Sequence, residues 1–240
     1  MIETTIQYKI NPEQVVDLIV APGVFKPTGT TSLLIKAVKE KILTPCTILD
    51  LGCGSGIVGL SLAKHGIVKH PLFASDLSST AVACTIKNFK NYNFNVDARE
   101  GSMFEPWENC KFDVIVDDIS GVAEEIAKVS TWFQGVPCNS GEDGTSLINN
   151  IIKESRKYLN KKGKFFFPVI SLSNVDSLLK EAKNAFKNVE LISKQEWPLP
   201  DELKSQHILL EELRDKGFIK LEKKFGMYIW YTEIYVAFND

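Results

Sequence analysis

The stretch LDLGCGSGIVGL, residues 49–60, places glycines at 52, 54 and 56 between an apolar run and a segment with helical spacing. Alternate glycines at a strand-to-helix junction permit positive φ and let the backbone approach a ligand closely. A dinucleotide fingerprint, G-x-G-x-x-G, requires glycine at 57, where Ile57 stands, and the G-K-[ST] of a phosphate loop is absent. In an open α/β sheet, ligands bind outside the carboxyl ends of the strands, at the switch point in strand order. The turn is therefore placed to hold a nucleotide-like ligand at the end of a first strand.

The rest of the chain supplies such a sheet. TILDL, LFASD, the start of NVDAREGSM, KFDVIVD, KFFFPVI and NVELIS read as six short strands. Between them lie helical patterns at 57–66, 78–92, 121–130, 142–160 and 175–186, with Gly66 closing the first and Ser78 or Ser79 capping the second. This alternation implies right-handed crossovers and a largely parallel, doubly wound α/β sheet with helices on both faces. The tail GMYIWYTEIYVAF is β-prone and follows the sixth strand without an ordinary crossover, so a seventh strand is expected to insert antiparallel. Residues 196–226 form an insertion between the last two strands, containing a helix and a basic turn. Residues 1–45 read as an N-terminal extension packing on the ligand site. It holds a short helix near Pro12–Val20, the turn-rich APGVFKPTGTT, and a helix from Ser32 capped by Thr31 or Ser32 and closed by Pro45. Residues 46–240 form the main domain.

Composition excludes several classes. A formal net charge of -2 gives no overall positive field for nonspecific nucleic-acid binding. The five cysteines, 46, 53, 84, 110 and 138, form no C-x-x-C pair, and no His/Cys cluster has zinc spacing, so no metal is expected. Their odd count argues against a disulfide framework and for a reducing cytosol. The start of the chain lacks an apolar signal core, and no run approaches a membrane span.

Asp76 ends the second strand, 20 residues beyond Gly56. A carboxylate there can accept both hydroxyls of a ribose, while capping of the next helix is its structural alternative. With Asp50 before the turn, the pattern D-x-G-x-G-x-G resembles motif I of the class I S-adenosylmethionine-dependent methyltransferases, a Rossmann-like fold. The resemblance implies S-adenosylmethionine as cofactor. Asp50, Gly52, Gly54 and Gly56 would lie against its methionine part and ribose, and Asp76 would bind the ribose. Thr31 and Leu77 fall among the implied cofactor contacts. REGSMFEPW would hold the adenine, with Ser102 at the place of an aspartate and Met103 and Phe104 able to pack on the ring.

PGVFKPTGTTSLLI is similar to the segment before motif I in the small-domain methyltransferases, which include ribosomal RNA guanine-N2 enzymes and release-factor glutamine methyltransferases. NSGEDGTSLI and LNKKGKFFFPV match the latter's layout, so the resemblance runs over about residues 22–170. One turn departs from it. The release-factor enzymes carry N-P-P-[YF] after the fourth strand; here Asp118, Ile119, Ser120 and Gly121 stand in those places. The aromatic clamp for a planar amide is missing. Asp118 remains placed to accept a hydrogen bond or proton from an acceptor and also to contact the cofactor, and Asp117 with it favours a cationic acceptor. The structural alternative is that Asp118 or Ser120 caps the next helix while Asp117 faces solvent. Trp132 and Phe133 line an acceptor pocket or pack in the core. His65, His70 and His207 read as surface or helix-end residues, and the lysines at 216, 220, 223 and 224 as a solvated face.

The expected function is methyl transfer from S-adenosylmethionine to nitrogen on a protein side chain or small molecule. An RNA (ribosomal) methyltransferase is the alternative enzyme, and a non-catalytic cofactor-binding module the alternative from another class.

Overall fold

A hairpin comes first, built from β1 (Thr4–Asn11) and β2 (Gln14–Val20), and is followed by helix α1 (Gly29–Lys41). The alternating region runs β3 (Ile48–Leu51), α2 (Ile57–Lys64), β4 (Leu72–Asp76), α3 (Ser79–Asn91), β5 (Val96–Glu100) and β6 (Phe112–Asp117). Next come α4 (Glu124–Val129), α5 (Ser146–Ser155), β7 (Leu159–Ile170), α6 (Val175–Ala185) and β8 (Asn188–Pro198). The chain finishes with α7 (Asp201–Lys204), α8 (His207–Asp215), β9 (Glu222–Lys224) and β10 (Met227–Phe238). This computed structural model describes residues 3–11, 13–119, 121–133, 136, 138 and 140–240.

The main sheet has the order β5-β4-β3-β6-β7-β10-β8, with β9 paired to β10. Strands β3 to β7 pair in parallel, and β10 runs antiparallel to both β7 and β8. The expected mostly parallel sheet with its antiparallel last strand is thus observed, with short β9 as an eighth strand. Strand order reverses between β3 and β6, so the switch point lies where their carboxyl ends meet the glycine turn and the acid pair.

Local sequence explains the elements, and also three departures. Residues 14–20 are a strand, not a helix: Val16, Leu18 and Val20 are buried in alternation, a period of two. Pro12 lies outside the described residues. Helix α1 begins at Gly29 with Thr28 as its cap rather than Thr31 or Ser32; the Thr28 backbone N–H donates to Thr31 Oγ1 at 3.1 Å. The helix expected to reach Asn160 stops at Ser155, and Leu159 already belongs to β7. Asn160 Nδ2 donates to Asp113 Oδ1 at 2.7 Å, tying this early part of β7 beside β6 across a register shift.

The two sheet faces have separate cores. Ile48, Val114, Val116 and Phe166 face α1, α2, α3 and the hairpin, while Leu49, Ile115, Phe165 and Phe167 face α5 and α6. The hairpin is fastened to α3, where Asn88 Oδ1 accepts from Ile19 N at 2.9 Å and Asn88 Nδ2 donates to Ile19 O at 2.8 Å. The 196–226 segment buries Leu203, Leu210, Leu213 and Ile219 with Val122, Ile126, Ile170 and Trp230 in a third cluster. Its basic turn is exposed and ion-paired, Lys220 with Asp176 and Lys224 with Glu196 and Glu222. Such exposed pairs contribute little to stability, being screened by solvent.

Candidate functional site

A cavity of about 530 Å³ opens at the carboxyl ends of β3, β4 and β6. Its volume falls in the range of small-molecule sites. One wall is the glycine turn. Gly52, Gly54 and Gly56 all have positive φ, between 52° and 78°. A side chain on Gly52 would collide with Ile119, which lies over it, whereas a Cβ on Gly54 would meet no described heavy atom within 4 Å. Gly54 thus borders the open space directly. Gly56 caps α2 and packs on Thr85 instead, outside the cavity lining.

Asp76 is the next wall. Its Oδ2 accepts from Gly54 N at 3.0 Å and its Oδ1 from Ser78 N at 2.9 Å. Each carboxylate oxygen can accept a second hydrogen bond, so both remain able to take a hydroxyl. The capping role falls to Ser78, whose Oγ accepts from Ala81 N, which leaves Asp76 available to the cavity. Leu77, Ser102, Met103, Thr31 and Asp118 also line the space, as do Gly23, Val24, Phe25 and Pro27 from the segment before α1. Phe104 does not: it is buried and stacks on Tyr158 with ring centroids 4.4 Å apart.

Asp50, too, lies outside the lining. It is fully buried and accepts from Gly59 N at 3.0 Å through Oδ2. Its Oδ1 has no partner among the described residues. Burial, partly offset by the Gly59 bond and reinforced by Asp118 and Asp76, pushes its carboxyl up to about 8. Asp50 braces α2 behind the turn, outside the cavity lining. The folded chain holds a proton on Asp50 that the unfolded chain releases near 3.8, so folding stability falls as pH rises from about 4 to about 8. Urea unfolding at pH 5 and pH 8 is expected to show this fall. The D50N variant is expected to make it shallower, by up to about 1.4 kcal/mol per pH unit, the rest coming from Asp117 and Asp118.

The two adjacent acids separate because neighbouring strand residues face opposite sides. Asp117 turns inward and is fully buried, neither in solvent nor in the cavity; its Oδ1 accepts from Ile119 N at 2.9 Å, closing a tight turn. Burial raises its carboxyl well above the usual range, opposed by the Ile119 bond and reinforced by Asp118 and Asp50. Asp118 turns outward, half-buried, into the cavity, where Thr31 Oγ1 donates to its Oδ2 at 2.8 Å. Burial raises Asp118 to about 7, against the lowering effect of Thr31. Neither acid caps α4, which starts at Glu124 with Ala123 before it; Ser120 lies outside the described residues. The turn is pinned from behind, since Ala123 N donates to Leu172 O at 2.8 Å and Glu124 N to Glu142 O at 3.3 Å. Gly144 of the GEDG loop packs so closely on Val122 and Ala123 that no side chain would fit there.

Phe133 lines this cavity and also a smaller one of about 120 Å³, lined by Phe25, Trp132, Trp197 and Trp230 among others. In sequence Trp132 and Phe133 fit a pocket or packing equally; Trp197 and Trp230 carry no site signal, Trp197 lying in the expected 196–226 insertion and Trp230 in a strand pattern. The histidines stay outside both linings. Replacing Asp76 by Ala is expected to weaken S-adenosylmethionine binding by about 1–3 kcal/mol, the loss of charged hydrogen bonds, measurable by calorimetry. An unchanged affinity would remove Asp76 from the ribose site.

Residues 16–118 match the methyltransferase small domain family. The chain is 26% identical over 155 residues to the release factor glutamine methyltransferase of Geobacter sulfurreducens, a match covering 61% of this chain and 53% of that protein. It is 31% identical over 160 residues to the release factor glutamine methyltransferase of Thermodesulfovibrio yellowstonii, covering 62% of this chain and 57% of that one. The chain thus spans about half the length of these curated relatives. A 16S rRNA N2 methyltransferase of T. thermophilus, solved in complex with AdoMet and guanosine, superposes with a TM-score of 0.68 at 14% identity over 100% of this chain and 51% of that one, a likeness of fold. Among the described residues no helix is long and apolar enough to cross a membrane. Strand order, glycine turn and family match agree: residues 16–118 match the methyltransferase small domain family, within a sheet of the Rossmann-like methyltransferase fold.

Proposed function

We propose that this chain transfers a methyl group from S-adenosylmethionine to a nitrogen on a small molecule or protein side chain, in the cytosol. The observation that carries this reading is Asp118, a half-buried carboxylate facing the same cavity as the glycine turn and Asp76. Asp76 would hold the ribose, Leu77, Ser102 and Met103 the adenine, and Gly52 and Gly54 the backbone side of the methionine part. The segment 1–45 would close the site through Gly23–Pro27 and Thr31.

Bound there, the cofactor supplies a methyl group already activated on a sulfonium. The protein's work is then alignment of the acceptor and exclusion of water. The methyl carbon would pass to the acceptor nitrogen, the carbon–sulfur electron pair staying on sulfur. The proton leaving nitrogen goes to the Asp118 carboxylate and on to water. Thr31 orients that carboxylate, and its pKa of about 7 suits a base working near neutral pH. Ile119 couples the acceptor turn to the cofactor turn by resting on Gly52.

Calorimetry with S-adenosylmethionine, followed by labelled-methyl transfer into fractionated lysate, tests this reading. Label in small-molecule or protein fractions is expected. Label confined to RNA would overturn the acceptor class, and absence of cofactor binding would overturn the whole reading.

A further inference from the structure

The smaller cavity adjoins the larger one, the two sharing Phe25 and Phe133, whose ring centroids are 5.5 Å apart. Three tryptophans form its far wall: Trp230 stands 5.2 Å from Trp132 and 5.9 Å from Trp197, ring centre to ring centre. Val122 and Ile170 add apolar surface, and Thr28, Gly29 and Thr30 complete the lining. Among the described residues that line it, none carries an ionisable side chain. Trp197 is held in place by Gly29, the first residue of α1, where any side chain would collide with the indole ring. The buried Nε1–H of Trp197 has no partner among the described residues. Most of these groups come from outside the 16–118 family match, from the connection after β6, from β7, from the end of β8 and from β10.

We infer that this cavity is the acceptor subsite and holds a single aromatic ring, so that the methyl acceptor is a small arylalkylamine. The inference rests on the reading of Asp118 as the acceptor end of the larger cavity. Size limits the occupant: about 120 Å³ is comparable to the roughly 150 Å³ apolar cavity that accepts benzene. Chemistry limits it further. A planar amide seated here would meet mostly aromatic and aliphatic walls, with the hydroxyls of Thr28 and Thr30 as the polar side-chain groups of the described lining and that of Thr30 already bonded to Thr232, and burying an amide with few partners is unfavourable. An aromatic ring gains from offset or edge contacts with the tryptophans, and the amine on its side chain, as an ammonium, gains from their π-faces and gives a proton to the Asp118 carboxylate before its lone pair attacks.

The test uses phenethylamine and propylamine as probes, titrated by calorimetry into the full chain saturated with S-adenosylhomocysteine. Phenethylamine is expected to bind at least about tenfold more tightly than propylamine, as burial of one ring requires. Trp132→Ala, a partly exposed position, is expected to remove most of that preference while S-adenosylmethionine affinity and melting temperature hold. Equal binding of the two probes by the wild type, or a preference that survives in W132A, would overturn the subsite. If labelled methyl then appears on a non-aromatic acceptor, the subsite fails while methyl transfer stands. If the cofactor itself does not bind, the functional reading fails first.

Discussion

Methyl transfer is expected to fall by about 10²–10⁴-fold when Asp118 is replaced by Ala, the range for a lost general base. Cofactor affinity is expected to change by less than about 1 kcal/mol, since Asp76 and the glycine turn are untouched. Single-turnover rates across pH 6–9 check the same group a second way. Asp118 is held at about 7 by burial, so the wild-type rate is expected to rise through that pH as the carboxylate ionises, and the rise is expected to vanish in D118A. Asp118→Asn separates two roles. It keeps an oxygen that can accept from Thr31 but cannot take a proton, so a D118N enzyme as slow as D118A points to the base role. A D118N enzyme with full activity shows that the carboxylate only binds the acceptor. A full rate in D118A would place the acceptor elsewhere.

Gly54→Ala is expected to raise the dissociation constant for S-adenosylmethionine at least about tenfold, or ~1.4 kcal/mol. The reason is specific to this position. A Cβ there touches no described protein atom, so any loss of affinity reports what occupies the open space in front of the turn. The residue has φ 52°, and a left-handed alanine costs about 1–2 kcal/mol, so melting of the ligand-free chain is expected to fall only by a few degrees. Gly52→Ala differs: its side chain would strike Ile119 and displace the acceptor turn, so transfer is expected to fall along with binding. If G54A bound the cofactor as tightly as wild type, the cofactor would not lie along this turn.

Features carried by short-range sequence were legible before any coordinates. Glycines 52, 54 and 56 announce a turn needing positive φ, and the spacing to Asp76 announces an acid at the next strand end. The alternation of strands and helices implies the parallel sheet, because a parallel neighbour needs a crossover. Elements without strong local signals were read less well. Residues 14–20 satisfy a helix and a strand about equally in isolation; pairing with β1 and burial of Val16, Leu18 and Val20 decide for the strand. Leu159 ends an apolar helical pattern, yet it joins β7 because β6 offers its backbone a partner.

The sequence by itself determined that two acids follow a buried strand, where the resembled enzymes carry an N-P-P-[YF] turn, and that a glycine turn suited to a nucleotide-like ligand ends the first strand. Tertiary structure decided which acid faces that ligand. Strand period sends neighbours to opposite faces, but only the layers packed on each face make one side core and the other cavity. Asp117 and Asp50 fell on the packed side, where burial holds a proton on the carboxyl. Asp118 fell on the open side, opposite Thr31. The aromatic wall around Trp132, Trp197 and Trp230 was also decided only by the fold, since its residues are far apart in the chain and meet because β10 inserts between β7 and β8.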